Sequence, residues 1–600
     1  MQIYKVAKVV LPIALDKDFD YSIPSDLEVR KGDRVLVNFG GSRRVAIVVD
    51  LKKESVIKHL KPLIEVLDSC LTCENIEFAR KLSKLYPYAM GEFLFMMMPP
   101  SLKRVSRSLL KQPAYETSRQ ISRRVSNIFI KRDSFPQRYS IWKEKVKEKL
   151  KQGSVLICFP QLTYLKEAKK IIDKDFAGGV RLVYSQQSQK ELFINWQQTR
   201  NNALILGTRV ALFYYPGDLN LIVVEEENSP YYFQEEKPFY HLLDVVGLLS
   251  KMKEIDVILS ADYPALSTYK LIEEKKTSLN SLKLKEGRPQ IKVVDISGVR
   301  QRVITPIFQE LLRKNIRDGR RIVVIWNRKG FGSYLSCLGC GHILKCERCS
   351  GLLQVSLKED NAGLCPYCAK KTVVPKICNK CNSGYIKTFG LGIERIEVIL
   401  KRIFPEVKIG KWQEGAADAQ VILATSKILS SLYCGYNFDV GFLLDADSFF
   451  SRPDYEATFN AFIYVKQLSL FLKEALYVFT RNANHYLFEN LCGNWQDFYG
   501  YELGLRRELR LPPFGNIIKI ILRDKNENKL LKKSQALYNR LKNKKLEVYG
   551  PLAEVPFKLR GNFRYSLIIK GKKGYYLRKL LKEEIKNLRR THVKLAVIIR

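Results

Sequence analysis

The 600-residue chain is short of acidic residues. It has 61 Asp and Glu against 102 Lys and Arg, a formal net charge of +41. An excess of that size repels itself unless a polyanion or counterions accompany it. Nucleic acid is the natural partner, because its phosphates release counterions when Lys and Arg neutralise them. The competing reading is a generally basic, Lys-rich proteome. Long apolar runs are also missing. No stretch approaches the roughly 20 apolar residues that cross a bilayer, so no membrane partner is expected. No secretory signal precedes the first strand-like run, Val6-Ala7-Lys8-Val9-Val10-Leu11. The expectation is a cytoplasmic, nucleoid-associated protein. Repeats and low-complexity tracts are absent. So is any Gly-Lys-Ser or Gly-Lys-Thr, and with it the usual phosphate-binding loop.

What remains is an ordinary globular composition, 46% hydrophobic and 27% charged. At about 150 residues per domain the length suggests roughly four domains. The first hundred residues carry strand signals. Val35-Leu36-Val37-Asn38-Phe39 alternates, Gly40-Gly41 turns, and Val45-Ala46-Ile47-Val48-Val49 follows. A basic stretch over 101–127 then reads as a linker or a phosphate-facing segment. From 128, continuous apolar runs alternate with helix-like segments: Val155–Phe159, Ala203–Leu206, Leu221–Val224 and Val257–Ser260. Such runs indicate strands of a buried parallel sheet. The pattern resumes at Arg321–Trp326, is interrupted by cysteines, and continues with Val421–Leu423 and Gly441–Leu444. Two α/β lobes with a cysteine insertion in the second follow from this. A last unit runs from about 501 to Arg600.

Eight of the thirteen cysteines form four pairs: Cys337-x-x-Cys340, Cys346-x-x-Cys349, Cys365-x-x-Cys368 and Cys378-x-x-Cys381. A CxxC turn puts two thiolates on one side of a knuckle, and two knuckles complete a tetrahedral site. Four pairs therefore predict two closed Cys₄ sites. The simplest arrangement is nested. Cys346, Cys349, Cys365 and Cys368 join in one site, and Cys337, Cys340, Cys378 and Cys381 in the other. An iron–sulfur cluster can also take four cysteines; the knuckle spacing and the intracellular setting favour zinc. Closed sites leave no open position, so their role is structural. Cys70-x-x-Cys73 stands alone and reads as two ordinary thiols.

Several segments, taken in order, resemble the bacterial primosomal protein N′ (PriA) family of superfamily 2 helicases, which restart stalled replication forks. Phe19-Asp20-Tyr21-Ser22-Ile23-Pro24 and Gly32-Asp33-Arg34-Val35 are similar to that family's domain for DNA 3′ ends. Gly207-Thr208-Arg209-Val210-Ala211-Leu212, Asn327-Arg328-Lys329-Gly330-Phe331, Gly390–Arg395 and Leu443-Leu444-Asp445-Ala446-Asp447 are similar to its lobe motifs. Leu511-Pro512-Pro513-Phe514-Gly515 and Gly550-Pro551 look like the start of its C-terminal domain. The resemblance implies the nested zinc pairing. It also implies a multidomain α/β fold with two RecA-like lobes holding parallel sheets. The boundaries would be a β-rich DNA 3′-end-binding domain over 1–100, a linker over 101–127 in place of the family's winged-helix domain, lobe 1 over 128–290, lobe 2 over 291–500 with the zinc insertion at 337–381, and an α+β DNA- and partner-binding domain over 501–600. Tyr21, Arg34, Arg43, Arg44, Arg560 and Arg564 are its candidate DNA contacts. Tyr385 beside Lys387, and Phe563 beside Arg560 and Arg564, are candidates for stacking on bases.

The departures from the family bear on activity. Its phosphate loop would fall on Phe129-Ile130-Lys131-Arg132-Asp133-Ser134-Phe135-Pro136-Gln137, which has no glycine. Phe135 and Pro136 stand where the Lys and Thr belong. The Asp-Glu-Glu-His position reads Glu225-Glu226-Glu227-Asn228, leaving Glu226 as the residual catalytic candidate. No Arg lies between Arg452 and Arg481, and Leu468 and Phe471 stand where the family has two arginines. Phosphoryl transfer relies on positioning and cationic stabilisation. Losses on both lobes point to an abandoned site and weaken the case for ATP and Mg²⁺ as cofactors beside two Zn²⁺. The leading expectation is a replication restart protein that binds forks, 3′ ends and single strands without unwinding them. Its partners would include single-strand-binding protein and the loader of the replicative helicase. One alternative is an active ATP-dependent 3′-5′ DNA helicase using Lys131 or Arg132; another is a zinc-ribbon nucleic-acid protein of a different pathway.

Overall fold

The computed structural model describes residues 4–13, 15–104, 127–176, 179–198, 203–281, 289–299, 303–327, 334–349, 351–355, 362–365, 367–368, 370–389, 392–415, 418–433, 438–450, 454–544, 546–572, 574–589 and 594–599. Most of the basic stretch, 105–126, lies outside them, as do Arg328–Phe331 of one lobe motif and Gly390 and Leu391 of another. The chain divides into two compact units. The first holds Met1–Leu282, Gly574–Ile585 and Ile599; the second holds Lys283–Lys573, Lys586–Ile598 and Arg600.

In the first unit the alternating segments near the N-terminus form a five-stranded antiparallel sheet. Its order is Phe19–Ser22, Val6–Val10, Ser42–Lys52, Asp33–Phe39 and Glu65–Ser69. Gly40 and Gly41 make the hairpin turn with φ of 56° and 77°, a region where only glycine sits without strain. Ala7, Val9, Val35, Val37, Ala46 and Val48 fill one face. The helix Cys73–Leu85 follows, capped by Thr72, whose hydroxyl accepts from Asn75 N while the Asn75 side chain accepts from Thr72 N. This helical segment is tied to the following α/β layer. Tyr86 Oη donates to Asp244 Oδ2 (2.7 Å) and Tyr214 Oη donates to Met98 O (3.2 Å).

That layer is a seven-stranded parallel sheet. Its order is Ser278–Ser281, Asn127–Lys131, Asp256–Ala261, Leu219–Glu225, Ser154–Cys158, Leu204–Gly207 and Val180–Val183. The continuous apolar runs are its buried central strands, as a sheet covered on both faces requires. The strand ends Lys131 and Glu225 therefore open onto the same edge, where doubly wound sheets place ligands.

The second unit repeats the plan. Its six-stranded parallel sheet runs Gln290–Asp295, Leu472–Thr480, Phe438–Leu443, Ile322–Ile325, Val421–Ala424 and Ile409–Lys411. Ile322, Val324, Leu423, Phe442, Ile396 and Phe308 form its core. Between the strands Ile322–Ile325 and Val421–Ala424 comes the cysteine insertion. Beyond them an antiparallel sheet holds Glu547–Leu559, Asn562–Gly571, Asn516–Asp524 and Lys594–Ile599, with the helix Glu527–Asn543 packed on it. The multidomain α/β organisation, with the insertion in the second parallel sheet, is the one the hydrophobic pattern predicts.

Candidate functional site

Four cysteine knuckles share one local construction. The N–H of each leading cysteine donates to the carbonyl five residues on: Cys337 to His342 (2.9 Å), Cys346 to Gly351 (2.8 Å), Cys365 to Lys370 (3.0 Å) and Cys378 to Ser383 (2.8 Å). Two small sheets decide which knuckles meet. Tyr334–Cys337 pairs antiparallel with Ile386–Phe389, in a register that places Cys337 opposite Ile386. This brings the first knuckle to the fourth. Gln354–Val355, Ala362–Leu364 and Lys371–Val373 form the other sheet and fold the second knuckle onto the third. The result is two groups, Cys337, Cys340, Cys378 and Cys381, and Cys346, Cys349, Cys365 and Cys368.

Within each group all ligand atoms lie within 4.8 Å of one another. The Sγ–Sγ distances include 3.5 Å for Cys337 and Cys381, and 3.8 Å for Cys340 with Cys378 and for Cys346 with Cys368. Tetrahedral Zn–S bonds near 2.3 Å put sulfurs about 3.8 Å apart. Donor set and spacing are thus compatible with zinc. The Cys340 N–H aimed at Cys337 Sγ holds that thiol below its usual range, while the neighbouring Cys340 and Cys337 sulfurs push Cys381 up to about 12.

At the edge of the first parallel sheet the predicted phosphate loop is a short turn, 132–134, leading into the helix Phe135–Leu150. One turn into that helix, Arg138 is fully buried and points back over the turn. Its Nε donates to Glu225 Oε2 (3.0 Å), its Nη2 to Glu226 Oε1, and its Nη1 to Arg132 O (3.1 Å). Trp142 Nε1 donates to the other Glu225 oxygen (2.9 Å). Both oxygens of the Glu225 carboxylate are therefore engaged by side chains of the helix Phe135–Leu150. Glu226 adopts φ 52°, in the left-handed region. Burial pushes its carboxyl up and Arg138 opposes this; with Glu225 and Asp262 beside it, the net direction is up. Glu227 accepts from Ala265 N (2.6 Å) and Thr268 Oγ1 (3.0 Å), and burial pushes it up to about 7. Asn228 Nδ2 donates to Tyr263 O (2.8 Å).

The two cations offered as substitutes for a phosphate-binding Lys are held elsewhere. Lys131 is buried with Nζ 4.7 Å from the centre of the Tyr263 ring. Arg132 Nη1 donates to Asn280 O and Nη2 to Asn280 Oδ1, both at 3.0 Å, on the edge strand. In the second unit Leu468 is fully buried in the core.

Three of the six proposed DNA contacts are buried. Arg34 is fully buried, with Nε and Nη2 on Asp68 (2.9 and 2.6 Å) and Nη1 on Leu102 O (2.5 Å). It ties the first sheet to the segment after it. Tyr21 lies in the sheet core and donates to Asn38 O (3.0 Å). Arg564 is buried against Pro556 O (3.1 Å) and Glu554. Arg43, Arg44 and Arg560 are exposed. Tyr385 is 70% exposed, whereas Phe563 packs on Phe557.

Two family models match the chain. The PriA 3′ DNA-binding domain matches residues 8–99, and the primosomal protein N C-terminal domain matches residues 507–600. The replication restart protein PriA of Rickettsia felis is 24% identical over 96% of this chain and 96% of its own length. The replication restart protein PriA of Borreliella burgdorferi is 25% identical over 91% of each. Along nearly its whole length the chain is similar to replication restart protein PriA. Among solved structures, the helicase MrfA bound to DNA and AMPPNP aligns with 62% of this chain and 49% of its own, at 10% identity and a TM-score of 0.37. In sequence the two matched segments lie before and after the parallel-sheet segments. Arg43 and Arg44 fall in the first and Arg560 in the second, so the exposed arginines of the PriA reading lie in its two terminal domains.

Arg138 escaped the sequence reading. Its signal was present: Arg138 and Trp142 stand four residues apart on one helix face, directly after the turn that should have been glycine-rich, opposite a triple-Glu strand end.

Proposed function

We propose that this chain captures forked DNA and 3′ ends through its terminal domains and serves replication restart without hydrolysing ATP. The observation that carries the second half is the buried Arg138 guanidinium bridging Glu225 and Glu226. A nucleotide would bring phosphates and Mg²⁺ to that strand end, where backbone N–H groups, a Lys and free carboxylate oxygens must meet them. Here a side chain of the helix Phe135–Leu150 supplies the cation. To bind Mg²⁺, Glu225 would first have to give up Arg138 and Trp142. The parallel sheets then act as a scaffold. Zinc is the metal proposed for both cysteine groups, because four thiolates without an open position suit a structural Zn²⁺. Single-strand-binding protein and the loader of the replicative helicase are the protein partners proposed. No helix among the described residues is long and apolar enough to cross a membrane.

The test is ATP hydrolysis by the purified protein, with and without a forked DNA that it demonstrably binds. The expected result is tight fork binding with no turnover above background. DNA-stimulated turnover abolished by Glu226→Gln would mean a working motor and overturn the scaffold reading.

A further inference from the structure

The second cysteine group meets a hairpin tip of the C-terminal antiparallel sheet. The strands Glu547–Leu559 and Asn562–Gly571 are linked by Arg560 and Gly561, with φ of 50° and 82°. Such a two-residue turn uses its flanking residues, here Leu559 and Asn562, for the last ladder pair. The N–H groups of the two turn residues are left over and need acceptors of their own. Both find them in the second knuckle. Arg560 N donates to Cys349 Sγ (3.4 Å) and Gly561 N donates to Arg348 O (3.0 Å). The apolar side of the tip is used as well. Leu559 packs on the cluster formed by Leu335, Leu344, Cys346, Cys349, Leu353 and Cys365. Among the described residues, none of the first group's cysteines is in that cluster or accepts a backbone hydrogen bond from the hairpin tip.

A sulfur bound to a metal has a fixed position and carries negative charge, which makes it a better acceptor than a mobile thiol. Cys349 is fully buried, so its partner donors cannot be replaced by bulk water without opening the contact. The knuckle carbonyl Arg348 O sits one residue from Cys349 and keeps its place only while the knuckle is closed.

From this geometry we infer that metal held by Cys346, Cys349, Cys365 and Cys368 is the latch that docks the C-terminal sheet onto the cysteine insertion, through the backbone of Arg560 and Gly561. The first group folds its own knuckles and plays no part in this docking. The inference rests on the reading of these cysteines as a metal site. It makes the position of the C-terminal domain, and with it the exposed Arg560, dependent on occupancy of one metal site of two.

The experiment compares full-length wild type, Cys340→Ser and Cys368→Ser by elemental analysis for zinc and by hydrogen exchange of a peptide spanning 557–563. Each variant should lose about one zinc ion. Cys368→Ser should speed exchange in that peptide at least tenfold, and Cys340→Ser should leave it unchanged. A second arm avoids altering any ligand. In Leu559→Ala, zinc transfer to a chromophoric chelator should become several-fold faster for one of the two ions, with two ions still present at the start. Two zinc ions in wild type but equal exchange in both cysteine variants, or unaltered release from Leu559→Ala, would overturn the latch while leaving the metal sites standing. Wild type without zinc or any other bound metal would overturn both.

Discussion

Arg138 shows how one side chain settles what a strand end can do. Its guanidinium meets two buried carboxylates, and neither it nor Glu225 has access to water. Breaking such a pair by removing one member leaves uncompensated buried charge and typically costs about 3–5 kcal/mol. Arg138→Ala should lose stability of that order in urea unfolding, with little change in the far-UV signal of the folded state. A loss below about 1 kcal/mol would mean the carboxylates are satisfied without it. The identity of Glu225 and Glu226 as an acidic strand end is legible in the sequence. The pairing is not, because it depends on the rotation of a helix whose first turn departs from the family pattern. The same limit explains Arg34, Tyr21 and Arg564. Each sits in a motif or beside aromatics that suggest DNA, but burial on one face of a strand is decided by register with its neighbours. Arg43 and Arg44, flanking a glycine turn, are exposed because a hairpin tip has no other face to offer.

At the scale of elements, Glu227 links the strand Leu219–Glu225 to the helix Leu266–Glu273. It accepts from Ala265 N at the helix start and from Thr268 Oγ1 in its first turn. Burial lifts its carboxyl from the ordinary 4.5 to about 7. A carboxyl raised in the folded state holds its proton where the unfolded chain has lost it. Between about pH 4.5 and 7 the folded form therefore binds more protons, and stability falls as pH rises through this window. The loss at full ionisation is on the order of 3 kcal/mol for a shift of this size. Glu227→Gln cannot ionise, and the Thr268 hydroxyl can turn to accept from the new amide. Its stability should fall less than that of wild type between pH 5 and pH 8 when both are followed by thermal unfolding; parallel curves would deny Glu227 this role. Elements themselves were largely legible. Continuous apolar runs gave buried parallel strands, and CxxC spacing gave four knuckles. The helix Cys73–Leu85 and its attachment to the parallel sheet do not follow from the strand periodicity of the first hundred residues, because that tie rests on side-chain contacts far apart in sequence, such as Tyr86 with Asp244.

For the whole molecule the governing quantity is charge. With +41 on 600 residues, a bare chain would repel itself, and phosphate is the partner that relieves it most. The order of segments along the chain was legible because each carries its own local pattern, whereas the stretch over 105–126 lies outside the described residues and its part in binding rests on its charge. Each Lys or Arg that neutralises a phosphate releases counterions, so the logarithm of the binding constant should fall linearly with the logarithm of salt concentration, with a slope near −0.9 per contact on duplex DNA. On a forked substrate the chain should therefore lose affinity steeply as salt rises. Replacing Arg43 and Arg44 together by Ala should make the slope shallower by about two, in proportion to the contacts removed, and should weaken binding to forks of different sequence alike. Replacing the buried Arg34 would unfold its sheet rather than alter the slope, so a folding measurement separates the two cases. A flat salt response in wild type would remove nucleic acid as the partner, and an unchanged slope in the double variant would move the phosphate contacts away from this hairpin.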